Sequence, residues 1–197
     1  MQLLIGIDEA GRGALAGPVC VGVVAMPARF EWESVFALIT KRGAPKLRDS
    51  KQLTPQQRDL LYEHIIAHGS LRHAAALVDA EAIDAIGIAN AAREAAAIAL
   101  AHIGVEPARG RVLLDAGLAA PSAWEQESFV KGDERIPAIA LASIIAKVTR
   151  DRHMESLADT HRGYGFEQHK GYGTASHYAA LHTHGISPIH RKTFVHL

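Results

Sequence analysis

The sequence is poor in cysteine, with Cys20 as the single example among 197 residues. One cysteine cannot close an internal disulfide, and its place inside an apolar run favours a reducing compartment, so we expect a cytoplasmic protein. No apolar run approaches the roughly 18 residues that a membrane span needs, and no membrane partner is expected. The first residues enter a strand pattern directly, without a basic region or a small-residue cleavage site, and therefore predict no signal peptide.

Net charge is also lacking, since 21 lysines and arginines balance 21 aspartates and glutamates. This balance excludes a protein that holds nucleic acid through bulk positive charge, so any such binding must use local basic patches. Two clusters are candidates: Lys41, Arg42, Lys46, Arg48 and Lys51 in one loop, and Lys147, Arg150 and Arg152 in one predicted helix. Each cluster taken alone would fit an ordinary solvated face equally well.

The order of hydrophobic patterns predicts an α/β fold, with a mixed sheet, helices on both of its faces and a helical C-terminal part. The length suits one domain with a small appendage, and no internal repeat or low-complexity tract is present. Predicted strands cover residues 3–8, 19–25, 72–78, 111–114 and 128–131. Predicted helices cover 55–68, capped by Thr54 and stopped by Gly69, then 80–102, 138–158 and 174–184, the last lying between Thr174 and Gly185.

Acidic residues stand at or just past the ends of three predicted strands, at Asp8, Asp115 and Asp133. In open α/β sheets this edge is where ligands bind, and an unpaired buried carboxylate would be costly in the core. Several carboxylates on one edge repel each other unless a cation joins them, and all-oxygen ligands favour Mg²⁺ or Mn²⁺. Two such ions about 4 Å apart would suit phosphodiester hydrolysis.

Glu9 directly follows Asp8, and neighbours in a regular strand point to opposite faces. Both can reach one site only if the strand ends or distorts there, and we expect Gly11 and Gly13 to supply that freedom. The segment "GRGALA" also matches a dinucleotide-binding fingerprint, and "GIDEAGRG" nearly matches a phosphate-binding loop. Both motifs require a helix immediately afterwards, whereas here Gly17 and Pro18 lead into another strand, so a nucleotide cofactor is not expected.

The 12 histidines raise the possibility of a zinc site. His64 and His68 have helical spacing, and His161, His169 and His177 recur every eight residues. Because cysteine partners and an H-E-x-x-H pattern are both missing, we do not expect zinc.

Five segments in order resemble the successive motifs of bacterial type-2 ribonuclease H (ribonuclease HII): "GIDEAGRGALAGPV", "RDSKQL", "VLLDA", "VKGDERIPAIALASIIAKVTRDRHM" and "GYGFEQHKGYGTASHYAALHTHGISPIHRKTF". The resemblance implies a ribonuclease-H-like mixed five-stranded sheet flanked by helices. It implies a catalytic domain at 1–158 and a C-terminal helical extension at 159–197 that packs on it and contributes to substrate binding. It also implies a monomeric endonuclease of ribonucleotide excision repair.

The activity implied is cleavage of the RNA strand of RNA–DNA hybrids and incision of duplex DNA on the 5′ side of single ribonucleotides. The products carry 3′-hydroxyl and 5′-phosphate ends, and two Mg²⁺ or Mn²⁺ ions are expected during catalysis. Carried over by position, the family's four metal-site acids fall on Asp8, Glu9, Asp115 and Asp133.

The substrate contacts implied by the resemblance fall on Gly11, Arg12, Gly13, Lys51, Ser143, Lys147 and Tyr172. In the family, the glycine–arginine–glycine motif meets the 2′-hydroxyl through backbone groups, and the tyrosine packs on the next sugar. The "DSK" segment at Asp49, Ser50 and Lys51 resembles the phosphate-contacting loop, and Ser143 and Lys147 resemble phosphate contacts on a helix.

The chain departs from the family pattern at two positions, with Ala116 after the third acid and Ala14 after the glycine–arginine–glycine motif. No glutamine-led sliding-clamp motif is visible near "TFVHL", so recruitment through such a motif is not expected.

Two alternatives stay open. One is a module that binds RNA–DNA junctions without cutting, although four acids beside phosphate would not help a pure binder. The other is a nuclease of the same fold with another substrate, such as a junction resolvase or a type-1 ribonuclease H. A DNA duplex with a single ribonucleotide distinguishes a type-2 from a type-1 ribonuclease H, because the type-1 enzyme needs several consecutive ribonucleotides.

Overall fold

Five strands form one mixed sheet in the computed structural model, which describes residues 2–47 and 50–196. They are β1 (Leu3–Ala10), β2 (Val19–Pro27), β3 (Arg72–Val78), β4 (Gly110–Asp115) and β5 (Glu125–Phe129), in the spatial order β3-β2-β1-β4-β5. β1, β2 and β3 pair antiparallel, whereas β4 runs parallel to both β1 and β5. The predicted mixed five-stranded α/β sheet is confirmed. Arg48 and Asp49, named above in the first basic cluster and in the "DSK" segment, lie outside the described residues.

Seven α-helices occur in the described ranges: α1 (Trp32–Ala37), α2 (Pro55–Ala67), α3 (Ala80–Ile86), α4 (Ile88–His102), α5 (Pro137–Thr160), α6 (Phe166–His169) and α7 (Ala175–His184). The predicted caps are present, because Thr54 accepts from the Gln57 amide while the Gln57 side chain accepts from the Thr54 amide. Thr174 likewise accepts from the His177 amide at the start of α7. These side chains satisfy amides that have no partner within the helix.

Three sequence-based predictions are wrong in detail. The helix predicted over 80–102 is two helices, because Gly87 at φ +80° ends α3 and begins α4. The fifth strand lies at Glu125–Phe129 rather than at 128–131, and its residues are largely exposed, which removed the hydrophobic signal. The short helices α1 and α6 were not predicted, since six and four residues are too few for a periodic pattern.

Both faces of the sheet are buried. On one face, the alanine-rich side of α4 packs against the valines of β2, among them Val21 and Val23. On the other face, α5 packs with α1 and α2 over Val24 and Met26. A third cluster joins the C-terminal segment to Leu15 and Met154. α5 runs to Thr160, across the predicted domain boundary at residue 158, and the division into two domains stays a prediction.

Glycines in β1 and β2 let the backbone of α5 lie directly on the sheet. A Cβ at Gly6 would stand 2.0 Å from the main-chain carbonyl of Ala138, and one at Gly22 would stand 2.5 Å from the Ala142 oxygen. Because α5 approaches this closely, Ser143 of α5 lies within hydrogen-bond distance of Asp8 near the end of β1. None of the helices in the described ranges is long and apolar enough to cross a bilayer.

We predict that Gly6→Ala will lower the free energy of unfolding by about 2–3 kcal/mol or prevent folding, because a clash with main chain cannot be relieved by rotating a side chain. Urea denaturation followed by far-ultraviolet circular dichroism measures the loss. Gly69→Ala is the matched control, since nothing lies within 4 Å of a Cβ placed there. Equal unfolding midpoints for the two variants would contradict the role given to Gly6.

Candidate active site

The first two acids lie inside β1 rather than at its end. Asp8 pairs with Gly22 and Glu9 with Val21, and the ladder with β2 continues to Ala10. The expectation that the strand ends or distorts at Asp8 is therefore wrong. The opening comes instead from the other neighbour, since the pairing of β1 with β4 stops at Ile7 and Leu114. The edge beside Asp8 and Glu9 is left free at the carboxyl end of β4.

Asp8 is buried on the α5 side of the sheet, where the Ser143 hydroxyl donates a hydrogen bond to its carboxylate. The Ser143 and Ser50 hydroxyls are 2.8 Å apart. With its one proton given to Asp8, Ser143 accepts from Ser50. Burial raises the pKa of Asp8 to about 7, the serine bond opposes that rise, and the neighbouring Glu9 and Asp115 add to it.

Glu9 lies on the opposite face of β1 and is also largely buried. Its Oε1 accepts from the Arg12 guanidinium at 3.2 Å, and Lys51 also lies close enough to favour its charge. Burial nevertheless raises the pKa of Glu9, and Asp115 adds to the rise. The other oxygen, Oε2, is buried and has no hydrogen-bond partner among the described residues.

Asp115 ends β4 and is linked to the fourth acid through main chain. Its Oδ1 accepts from the Gly132 amide at 2.8 Å, and Gly132 begins a 3₁₀ helix, Gly132–Glu134, that contains the buried Asp133. Asp133 therefore lies four residues beyond the end of β5 rather than directly after it. The structure brings all four predicted acids to one edge of the sheet.

This donor set fits a divalent cation. All the candidate ligands are carboxylate oxygens, as Mg²⁺ and Mn²⁺ prefer. The buried Glu9 Oε2 without a partner is the kind of atom that a cation would satisfy. Within residues 2–47 and 50–196, no three Asp, Glu, His or Cys side chains already form a compact cation-binding group. The acids lie near one another, but their side chains do not form a complete coordination site as they are placed.

The Gly11–Arg12–Gly13 loop directly follows these acids and contacts Tyr172. The Gly11 amide donates to the Tyr172 hydroxyl at 3.1 Å, and Gly11 has φ +87°, a conformation that favours glycine. Gly13 is exposed, with nothing within 4 Å of a Cβ placed on it. The structure thus joins two of the predicted substrate-contacting elements, which lie 161 residues apart.

The three side chains predicted to contact phosphate have different surroundings. Lys147 lies 5.3 Å from the centre of the Tyr172 ring, and its Nζ pairs with Asp151 at 2.8 Å. Lys51 lies beside Glu9. Ser143 is buried and already bonded to Asp8 and Ser50, so its phosphate contact stays a prediction.

The second basic cluster is not a single basic face. Arg152 is paired with Asp59 and Glu63 of α2. Arg150 is fully buried and donates to main-chain carbonyls. Of this cluster, Lys147 lines the cavity described next.

A cavity of about 540 Å³ has both Glu9 and Tyr172 in its lining. Its lining includes Glu9, the Gly11–Gly13 loop, Lys51, Lys147 and Tyr172. A second cavity of about 580 Å³ continues between α2 and α5 and shares Arg58, Lys147 and Tyr172 with the first. The two form one groove with Tyr172 and Lys147 in its middle, a shape that suits a polymer.

Histidines hold the Tyr172 segment in place. His177 Nδ1 donates to the Tyr172 carbonyl, because a carbonyl can only accept, so its Nε2 accepts from His190 Nε2 at 3.0 Å. His190 Nδ1 in turn accepts from the Ser187 amide. Both rings must be neutral for this chain of bonds. Their clustering in space was not predicted, since the eight-residue spacing gave no sign of pairing across the fold.

The groups missed by the sequence analysis are thus Ser50, Arg150 as a buried donor, and the His177–His190 pair. Ser50 lies within the "DSK" segment, which was the available signal. No local pattern in a single sequence predicts that an arginine or a histidine will be buried.

We predict a loss of stability on acidification from this pair. Burial, then the neighbouring His177, lowers the pKa of His190 to about 4, and burial also lowers the pKa of His177. The unfolded chain takes up these protons near pH 6.5, so the stabilisation is complete above that pH and is lost as the pH falls towards 4. We expect roughly 1–3 kcal/mol to disappear across this window.

Urea midpoints at pH 7.5, 6.0 and 5.0 measure the effect, with His190→Gln removing the titrating group and His102→Gln, exposed on α4, as control. The difference in unfolding free energy between the wild type and His190→Gln should shrink with falling pH. A difference that stays constant with pH would contradict the assignment.

Comparisons with known proteins identify the family of the chain. The family model described as Ribonuclease HII matches residues 5–197. The ribonuclease HII of Dehalococcoides mccartyi is 43% identical over 194 residues, which cover 98% of this chain and 86% of the relative. The structure of ribonuclease H2 from Pyrococcus horikoshii OT3 superposes with a TM-score of 0.75 and 27% identity, covering 98% of this chain and 93% of the other.

A more distant structure, that of Bst-RNase HIII in complex with Mn²⁺, shares the fold, with a TM-score of 0.64, 18% identity and coverage of 93% of this chain and 63% of the other. Together, the family model, the sequence identity and the architecture agree along nearly the whole chain. The chain belongs to the ribonuclease HII family, metal-dependent ribonucleases that cleave RNA in RNA–DNA hybrids.

Proposed function

We propose that this enzyme, besides cleaving the RNA strand of hybrids, incises duplex DNA on the 5′ side of single embedded ribonucleotides and leaves 3′-hydroxyl and 5′-phosphate ends. The observation that carries the proposal is the contact between the Gly11 amide and the Tyr172 hydroxyl, two residues along the chain from Glu9. It supports the proposal because it joins the loop that would read the sugar to an aromatic ring, close along the chain to Glu9. Recognition of one nucleotide and cleavage beside it would then occur in one groove.

The four carboxylates Asp8, Glu9, Asp115 and Asp133 would hold two divalent cations, Mg²⁺ or Mn²⁺. The presence of Mn²⁺ in the Bst-RNase HIII structure supports this choice of metal. When bound, the ions would activate the attacking water and stabilise the leaving 3′ oxygen. The protein's own part is to fix the acids: Ser143 orients Asp8, the Gly132 amide orients Asp115, and Arg12 orients Glu9.

Selectivity would come from the loop and the tyrosine. The 2′-hydroxyl is the group that separates RNA from DNA at one nucleotide, and glycines at 11 and 13 let main chain approach the sugar closely. Tyr172 would pack on the following sugar and accept a deoxyribose there. Arg12, whose guanidinium lies beside Gly117 in the loop after Asp115, would meet a phosphate.

Lys51 and Lys147 would hold phosphates along the groove and set the register of the strand without reading its sequence. Lys147 pairs with Asp151 within the groove, and a phosphate would compete for that lysine. We propose that the enzyme acts as a monomer at the first step of ribonucleotide excision, since one chain supplies every residue that this groove needs. The single cysteine favours the cytoplasm as its compartment.

The decisive experiment uses an end-labelled DNA duplex with one ribonucleotide, incubated with Mg²⁺, Mn²⁺ or EDTA. One metal-dependent cut 5′ to the ribonucleotide is the expected result. If a long RNA–DNA hybrid is cut while this duplex stays intact, the enzyme resembles a type-1 ribonuclease H in its requirement and the proposal fails. If both are bound and neither is cut, the chain is a junction-binding module.

The acid assignment is tested by Asp133→Asn, which should lower cleavage by more than about 100-fold, since losing even an outer partner of a metal ligand costs about 10–100-fold. Binding of the uncut duplex, measured by fluorescence anisotropy in Ca²⁺, should remain. Asp159→Asn, exposed in the last turn of α5, is the matched control. Undiminished cleavage by Asp133→Asn would refute the assignment.

The role of Tyr172 is tested by Tyr172→Ala and Tyr172→Phe. The alanine variant should lower kcat/KM for the single-ribonucleotide duplex at least about tenfold more than for the hybrid, as expected for loss of one specific contact. The phenylalanine variant, which keeps the ring and loses the bond to Gly11, should fall between. Tyr62→Phe on α2, whose ring packs against Arg152, serves as the control. A uniform loss on both substrates would make Tyr172 a structural residue.

A further inference from the structure

Two arginines lie beneath the sugar-reading loop, and both are fully buried. Arg150 comes from α5 and Arg191 from the segment after α7. In the described residues, neither guanidinium pairs with a carboxylate, and their hydrogen bonds go to main-chain oxygens. An unpaired buried cation is costly, so its position calls for a physical explanation.

Arg150 joins the loop to the Tyr172 segment. Its Nε donates to the Pro18 carbonyl at 2.8 Å, one Nη donates to Ala16 and the other to Lys170 at 2.9 Å. Its guanidinium carbon also lies 5.2 Å from the centre of the Tyr172 ring. The Arg150 guanidinium thus contacts both the segment after the Gly11–Gly13 loop and the segment that carries Tyr172.

Gly11 rests directly on Arg150. A Cβ at Gly11 would stand 1.9 Å from Arg150 Nε, so the arginine fills the space that a side chain would need. The positive φ of Gly11 and the direction of its amide towards Tyr172 are therefore tied to where Arg150 lies.

Arg191 holds the loop from its other side. Its Nε donates to the Gly17 carbonyl at 3.0 Å and one Nη donates to the Arg12 carbonyl at 2.9 Å. Its own amide donates to Leu15. The remaining Nη is buried and has no partner in the described part of the chain. Burial lowers the pKa of Arg191 to about 9, and the nearby Arg150 adds to that effect.

The donors of a guanidinium are fixed in one plane and spread over three nitrogens, whereas the three donors of an ammonium all lie on one nitrogen. A lysine therefore cannot reproduce the set of carbonyl contacts that each arginine makes. The sites of these five bonds are confined to residues 12, 16, 17 and 18 of the loop region and to Lys170. The hydrophobic clusters on the two faces of the sheet lie elsewhere. The arginine contacts thus hold Arg12 of the Gly11–Gly13 loop, the segment that joins this loop to β2, and the segment just before Tyr172.

We propose that Arg150 and Arg191 are positioning residues for ribonucleotide selectivity, which set the Gly11–Gly13 loop and Tyr172 in register without touching substrate. The proposal rests on the proposed function, since it assigns the selectivity of that same site. Both residues act through main chain, so their charge alone does not replace them.

The test is to measure kcat and KM for Arg150→Lys and Arg191→Lys on two substrates, the duplex with one ribonucleotide and a long RNA–DNA hybrid. Each variant keeps the positive charge and loses the planar donor set. We expect the ratio of kcat/KM between the two substrates to fall at least about tenfold, with hybrid cleavage changed by less than about threefold. Arg72→Lys is the matched control, because Arg72 donates to the Gly104 carbonyl away from the groove.

Thermal unfolding and circular dichroism on the same samples show whether each variant is folded, and either arginine variant suffices for the comparison. Parallel losses on both substrates, or loss of the folded state in both variants, would overturn the proposal and leave the arginines a purely structural role. If the wild type does not cut the single-ribonucleotide duplex, the proposed function fails first. If it does and the variants keep the wild-type ratio, this inference alone fails.

Discussion

The close approach of α5 to β1 and β2 is the constraint on which the rest of the site depends. Gly6 and Gly22 leave no Cβ between the helix backbone and the sheet. Ser143, Lys147 and Arg150 then follow at positions i, i+4 and i+7 of one helix face. The first meets Asp8, the second lies over the Tyr172 ring, and the third supports the glycine loop. One helix therefore sets acid, groove and loop relative to each other.

The distribution of charge follows from the same packing. The carboxylates gather where β4 stops pairing with β1, and burial makes the charges of Asp8 and Glu9 costly there. The guanidinium groups of Arg150 and Arg191 lie buried against the Gly11–Gly13 loop and pair with no carboxylate among the described residues. Glu9 pairs with Arg12, whereas Asp8 is held by Ser143, Asp115 by the Gly132 amide and the two buried arginines by main-chain carbonyls. A metal at one end and a phosphate at the other are the species that such an arrangement favours.

Much of the fold could be predicted from the sequence because its signals are local. Valine-rich strands, the Thr54 and Thr174 caps and the alanine face of α4 each depend on neighbouring residues. β5 escaped prediction because an exposed edge strand has no hydrophobic alternation. The break at Gly87 escaped because alanines continue the helical pattern on both sides of it.

Some features of the site could likewise be predicted from the sequence, and others could not. The four acids and Tyr172 could be named through motifs that resemble a known family, and the structure places Glu9 and Tyr172 in the lining of one cavity. The geometry of Asp8 and Glu9 could not be predicted, since it depends on where a partner strand stops rather than on β1 itself. Ser50, Arg150 and the His177–His190 pair depend on contacts between residues distant in the chain, such as the 13 residues that separate the two histidines.

Under the proposed function, recognition and cleavage would be linked by the geometry of the chain. Glu9 and Gly11 are two residues apart, and β1 is rigidly paired with β2 up to Ala10. The loop begins one residue beyond this ladder, so the ladder holds Glu9 in place while the bond to Tyr172 holds Gly11. Under the proposed function, a sugar that fits the loop would lie in register with Glu9, and one that displaces the loop would break its bond to Tyr172. Selectivity of this kind is expressed in the rate of cleavage as well as in affinity, because the same segment of main chain serves both.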